Sequence, residues 1–87
     1  MNNEKNILKK IDKLTEEIVK VGNVKRAIAY IIAENYMVGY YDYQLLRKGI
    51  IADHLMTLPT KLDSKSAILV ADLLITKHTK NYSIGAW

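Results

Sequence analysis

The fold is decided by residues 24–38, whose sequence is VKRAIAYIIAENYMV. Between Ala27 and Ala33 no side chain carries a charge, and a helix formed by this segment would be apolar on nearly every side. One amphipathic neighbour would leave much of that surface in water, whereas a bundle of helices would cover it. The segment therefore predicts an all-α fold, an antiparallel four-helix bundle.

The remaining chain supplies three more segments with helical periodicity. The sequence predicts helices over residues 3–21, 24–38, 43–56 and 64–78, followed by an irregular tail at 79–87. At 87 residues the chain fits one domain. In the first helix the apolar residues recur at spacings of three and four: Ile7, Ile11, Leu14, Ile18 and Val21. We expect this stripe to dock within its own domain, because fewer than three heptads are weak evidence for a coiled-coil dimer.

Glycines and capping residues mark the helix boundaries. Gly22 and Gly39 each follow the last periodic residue of a helix, where a glycine tolerates the left-handed conformation. Capping side chains are predicted at the following helix starts: Asn23, Asp42, and either Asp63 or Ser64. Pro59 lies in the one clear loop, residues 57–62. The antiparallel arrangement follows from the short connections.

Gly49 lies inside the third predicted helix. A central glycine costs about 1 kcal/mol against alanine, so either a neighbour packs closely there or the helix breaks and leads into a strand, as in winged-helix domains. No strict alternation of apolar and polar residues follows Gly49, and no second β-rich segment is available for pairing. We therefore predict a continuous helix.

Composition excludes several classes of protein. The chain contains no cysteine, so disulfides, thiolate metal sites and thiol nucleophiles are excluded. The net charge is +4, and seven basic and four acidic residues fall within residues 1–26. No signal-peptide pattern and no apolar segment of membrane-spanning length occurs. We expect a cytoplasmic protein, with possible peripheral contact at the inner face of the membrane.

The residue types that carry chemistry are isolated from one another. His54 and His78 occupy different predicted helices without metal-ligand spacing, and no Gly-rich phosphate loop is present. Glu34 and Asp72 each interrupt an apolar stretch, so either could be a buried acid that acts in acid–base chemistry. Such residues more often lie on the water-facing edge of their helix. We predict no enzyme activity, no metal and no cofactor.

Five of the six tyrosines lie between Tyr30 and Tyr43. Tyrosine is favoured at protein interfaces because it buries a large area at low entropic cost and keeps a hydroxyl for hydrogen bonding. Tyr40 and Tyr41, at the turn between the second and third helices, are therefore candidate partner-binding residues. The same rings could instead cover the end of the core.

A small helical DNA-binding or phage-type regulator is the alternative function. Its contacts to phosphate and bases would come from Lys25, Arg26, Arg47 and Lys48. The third helix turns acidic after Lys48, which weakens this interpretation.

The layout resembles the small immunity proteins of class IIa, or pediocin-like, bacteriocin producers. The matching features are a lysine-rich first helix, the sequence Tyr41-Asp42-Tyr43 before the third helix, the connection from Leu58-Pro59 to Asp63, and the tail Tyr82-Ser83-Ile84-Gly85-Ala86-Trp87. The resemblance implies a bundle that protects a bacterium from its own pore-forming peptide by recognising the bacteriocin with its receptor, a membrane permease, from the cytosolic side.

The resemblance also implies where the recognition site lies. In that family the C-terminal half selects the bacteriocin. The corresponding residues here are the apolar anchors Tyr82, Ile84 and Trp87, with Lys77 and Lys80 nearby facing anionic headgroups or the permease. The other interpretation of the tail is a frayed terminus in which Trp87 only covers an edge of the bundle.

Overall fold

The structure, a computed structural model, describes residues 2–41, 48–57 and 59–86, with side chains described at 5–41, 49–57 and 59–78. The described chain forms four helices and contains no strand: α1 (Asn2–Gly22), α2 (Arg26–Met37), α3 (Lys48–Met56) and α4 (Ser64–Ala86). The all-α bundle predicted from the sequence is confirmed.

All four helices contribute to one hydrophobic core. Each presents residues at helical spacing to the interior, and fifteen apolar side chains among the described residues are buried. They are Ile11, Leu14 and Ile18 of α1; Ala29, Ile32 and Ala33 of α2; Ile51, Ala52 and Leu55 of α3; Ala67, Val70, Ala71 and Leu74 of α4; and Val24 and Tyr41 from the connections. The middle of the α1 stripe thus docks inside its own chain as predicted, whereas its two ends, Ile7 and Val21, are 48% and 41% exposed.

The helices pack as two hairpins joined along α1 and α4. Contacts are extensive between α1 and α2, between α3 and α4, and between α1 and α4. The Ser66 hydroxyl donates a hydrogen bond to the carbonyl oxygen of Gly22 at 2.8 Å, and the Lys77 Nζ lies 3.0 Å from a Glu17 carboxylate oxygen. The start of α4 therefore meets the end of α1, so these two helices are antiparallel.

The turn between α1 and α2 departs from the prediction made for Gly22 and Asn23. Asn23, not Gly22, takes the left-handed conformation, with φ 52°. Lys25 precedes α2 at the N-cap position without a side-chain hydrogen bond, so Asn23 is not the cap. Gly22 is required for a different reason: an added Cβ would lie 2.6 Å from a methyl group of Val70 and 2.9 Å from one of Val24. The glycine lets α1 approach α4 closely.

Helix α2 is covered on one side only, which contradicts the expectation that the bundle would cover it all round. Its buried side chains are Ala29, Ile32 and Ala33. Ile31 is 37% exposed, Ala27 is also exposed, and Val38 just beyond the helix is 71% exposed. The physical reason is that α2 packs mainly on α1, and no second helix makes comparably extensive contact with it in the described chain. Gly39, with φ 83°, ends α2 as predicted.

Helix α3 continues through the residues that follow Gly49, so the winged-helix alternative is wrong there. Residues 42–47, which include the predicted cap Asp42 and the predicted helix start, lie outside the described residues. Neither explanation considered for Gly49 applies. The helix does not break after it, and no neighbour packs closely, because an added Cβ would meet nothing within 4 Å. The last turn of α3 is closed by hydrogen bonds from Thr57 to the His54 carbonyl and from Thr60 and Leu62 to the Leu55 carbonyl.

Helix α4 begins at the predicted cap. The Ser66 amide donates a 2.7 Å hydrogen bond to the Asp63 carboxylate, and this bond lowers the pKa of Asp63 below its ordinary value. The helix then runs to Ala86, so the irregular tail predicted for residues 79–87 is wrong at 79–86, and Trp87 lies outside the described residues. The physical reason is that residues 79–84 contain no helix breaker, and the first glycine is Gly85.

Replacing each of the two helical glycines by alanine should change the free energy of unfolding in opposite directions. Gly22→Ala forces a methyl group against buried Val70 and should lower the free energy of unfolding by about 1–3 kcal/mol. Gly49→Ala meets open space and should raise it by about 0.5–1 kcal/mol. Urea denaturation of both variants measures the difference. Equal effects at the two positions would contradict the close approach of α1 and α4.

The Asp63 cap predicts a pH dependence. Because the folded-state pKa is lowered, the stabilisation is present above the ordinary pKa of aspartate and is lost as the pH falls through the lowered value. Asparagine caps equally well without titrating. Between about pH 6 and about pH 2, the free energy of unfolding should therefore fall further for the natural protein than for Asp63→Asn. Identical pH profiles from urea denaturation would show that the carboxylate cap contributes nothing.

Candidate interaction surface

An exposed stripe runs along the uncovered side of α2. Ala27, Ile31, Glu34 and Val38 recur at spacings of four and three, so they lie on one face. All four are exposed to solvent. Three of them are apolar, and large apolar residues that line up on one exposed face mark a contact surface more strongly than the same residues scattered singly.

The stripe opens at its C-terminal end into a groove between α2 and the first half of α1. Ile7, Leu8 and Ile11 of α1 line it together with Glu34 and Val38, and its volume is about 340 Å³. We call it the α1–α2 groove. Ile7 is 48% exposed and Leu8 is 53% exposed, whereas Ile11 at the base is buried. The groove presents apolar walls to solvent with one carboxylate, Glu34.

A second, smaller depression lies beside the end of α2. It has a volume of about 120 Å³, and three of its lining side chains are lysines. Its lining residues are Lys10, Lys13, Leu14, Glu17, Met37 and Lys77. The structure places Lys77, a predicted partner-binding residue, in an ion pair with Glu17 in which both side chains are about one-third exposed. Lys77 therefore holds α4 against α1.

The tyrosines of the turn after α2 divide between core and surface. Tyr41 is only 1% exposed and belongs to the core, so its predicted role as an accessible partner-binding residue is wrong. Burial raises the pKa of Tyr41, and a hydrogen bond with Asn35 partly offsets this effect. Tyr40 is 54% exposed. The rings of Tyr40, Tyr41 and His54 form a cluster with centroids 5.2–5.7 Å apart.

The predicted C-terminal anchors fall at the end of α4. Lys80, Tyr82 and Ile84 lie within the helix, although their side chains are outside the described residues, as is Trp87 altogether.

The titratable residues considered from the sequence do not converge. No group of three potential metal ligands occurs among the described residues. Glu34 and Asp72 are exposed, which confirms the water-facing interpretation. His54 lies in the aromatic cluster at the end of α3, and His78 lies in α4, both partly buried.

The side chains named for DNA binding receive no support as a set. Arg26 forms an ion pair with Glu16 across the α1–α2 turn. The ion pair raises the pKa of Arg26, with the hydrogen bond to Glu16 as the main cause. Lys25 is exposed beside it, whereas Arg47 and the Lys48 side chain lie outside the described residues.

The groove residues Ile7, Leu8 and Val38 were not predicted as a site. The signal was present in the sequence, because α2 is apolar on more sides than one neighbouring helix can cover. The apolar sequence of α2 predicted that all of that surface would be buried in the core. Only the packing of the helices shows which part is left exposed.

The two neighbouring tyrosines predict a large contrast in stability. Tyr41→Ala removes a buried ring and should lower the free energy of unfolding by about 3–5 kcal/mol. Tyr40→Ala removes an exposed ring that contacts the rings of Tyr41 and His54 and should cost about 1 kcal/mol or less. Thermal or urea denaturation of both variants tests this assignment. A cost for Tyr40→Ala as large as that for Tyr41→Ala would contradict it.

Comparisons with models of protein families, with curated proteins and with solved structures find no match to this chain. Within the described residues, no helix has the combination of length and apolar character needed to cross a bilayer.

Proposed function

We propose that this chain is a non-enzymatic interaction protein, and specifically an immunity protein that protects a bacteriocin producer. The proposal rests on the resemblance to the class IIa immunity family and on the exposed apolar surface of the bundle. In this role the protein works in the cytoplasm and recognises the bacteriocin together with its membrane permease receptor. No cofactor takes part.

The α1–α2 groove is the observation that carries the proposal. A protein that acts by binding needs apolar surface that its own core leaves exposed, because burial of that surface drives association. The groove supplies Ile7, Leu8 and Val38 for this purpose. The resemblance adds the end of α4, which carries Tyr82 and Ile84. In this proposal the groove and the end of α4 together recognise the partner, and we call them the reading surface.

Expression of this chain in a bacterium that is sensitive to class IIa bacteriocins tests the proposal. We expect the cells to grow in the presence of at least one such peptide. Trp87→Ala and Val38→Ser should weaken that protection, because each removes apolar area from the proposed reading surface. Growth inhibition curves measure the effect, and circular dichroism and the melting temperature confirm that each variant folds.

Ile68→Ser is the matched control for Val38→Ser. Ile68 is 47% exposed and lies in α4 near its start, at the opposite end of the bundle. Its replacement should leave protection unchanged. If the natural chain gives no protection against any class IIa peptide, the proposed function is wrong.

A further inference from the structure

We propose that the α1–α2 groove and the lysines beside it form a docking surface for an anionic lipid bilayer. The occupant is the bilayer surface itself: Ile7, Leu8 and Val38 enter the boundary between headgroups and acyl chains, and the lysines contact lipid phosphates. This inference goes beyond the proposed immunity function and does not depend on it, because it requires no protein partner.

The apolar part of the surface projects from one end of the bundle. Val38 is 71% exposed, Leu8 53% and Ile7 48%, so most of their area is available for burial. Tyr40 follows Val38 at the same turn and is 54% exposed. Amphipathic rings such as tyrosine favour the interface, where the ring is buried and the hydroxyl stays hydrated. This composition matches a surface that enters a bilayer only to its interfacial depth.

The charge beside the groove is positive on balance. Residues 2–13 of α1 contain four lysines and two acidic residues, Glu4 and Asp12. The four lysines are exposed: Lys5, Lys9, Lys10 and Lys13. Lysine side chains are long enough to keep their ammonium groups at headgroup level while the neighbouring apolar residues are buried. Each lysine near an anionic surface strengthens its attraction to the protein.

Charge also separates the two ends of α1. The second half of the helix carries Glu16 and Glu17, and both are engaged in ion pairs with Arg26 and Lys77. Four of the five lysines of α1 lie at residues 5–13, in the part of the helix that also carries Ile7 and Leu8. An anionic surface would orient the molecule with the groove toward the bilayer.

Glu34 is the one carboxylate among the described residues that line the groove, and its position allows the docking. It lies one helical turn before Val38, about 5 Å farther from the turn at the end of α2. Interfacial residues enter a bilayer by about 5–10 Å, so Glu34 would remain at the hydrated edge while Val38 is immersed.

The positive charge favours a bilayer over a second copy of this chain. Two copies joined through their grooves would bring two sets of α1 lysines together, and like charges in contact oppose association. An anionic bilayer neutralises these lysines and at the same time offers an apolar layer for the groove residues.

Sedimentation with lipid vesicles tests the inference. The purified full chain is mixed with vesicles of phosphatidylglycerol and phosphatidylcholine, and separately with vesicles of phosphatidylcholine alone. We expect binding to the anionic vesicles that weakens as salt is added, and much weaker binding to the neutral ones. Lys10→Glu should reduce the partition coefficient about tenfold or more, and Leu8→Gln about fivefold.

Matched controls separate a specific surface from a general effect of charge or hydrophobicity. Lys65→Glu makes the same charge change at an exposed site at the start of α4, and Ile68→Gln makes the same kind of apolar-to-polar change at 47% exposure. Both should leave vesicle binding within about twofold of the natural chain. Equal losses in the controls and in the groove variants would overturn the inference.

Two further results would overturn it. One is the absence of binding to phosphatidylglycerol vesicles at low salt by the folded chain. The other is a dimer in solution that Leu8→Gln dissociates, which would show that a second copy occupies the groove. Failure of the immunity test leaves these measurements unaffected, because vesicle binding is measured without bacteriocin or receptor.

Discussion

The close approach of α1 and α4 at Gly22 is the contact on which the rest of the structure depends. Two hairpins, α1 with α2 and α3 with α4, would each expose an apolar face if they stood alone. They are joined where the Gly22 backbone lies against Val70 and accepts a hydrogen bond from Ser66. No residue with a side chain fits there without displacement. This contact and the shared core hold the two hairpins in one bundle.

The same arrangement explains why one surface of the molecule remains apolar. Because α2 packs mainly on α1, the outer face of α2 has no helix of comparable contact in the described chain. Ile31 and Val38 stay exposed, and the first turns of α1 leave Ile7 and Leu8 beside them. A stable core and an exposed apolar groove are therefore two results of one packing pattern.

Exposed lysines add positive charge beside this apolar surface. Glu16 and Glu17 of α1 form ion pairs with Arg26 and Lys77, whereas the four lysines at residues 5–13 are exposed to solvent. Ion pairs at such exposure contribute little stability. The four lysines outnumber the two acidic residues of that part of α1, so they favour the approach of an anionic surface. The proposed bilayer contact follows from this combination of apolar area and excess positive charge.

The sequence by itself determined the helical class, the four helices of the described chain, most of their described boundaries and a cap at Asp63 or Ser64. These features are local, because periodicity, glycines and capping residues act within a few residues of each other. The sequence did not determine the end of α4, which continues past the predicted end at residue 78 because no helix breaker follows there. Only the tertiary structure decided that Tyr41 is buried, that Gly22 is a contact rather than a turn, and that part of α2 is left uncovered. The physical reason is that the periodicity of one helix shows which side is apolar but not which neighbour, if any, will lie against it.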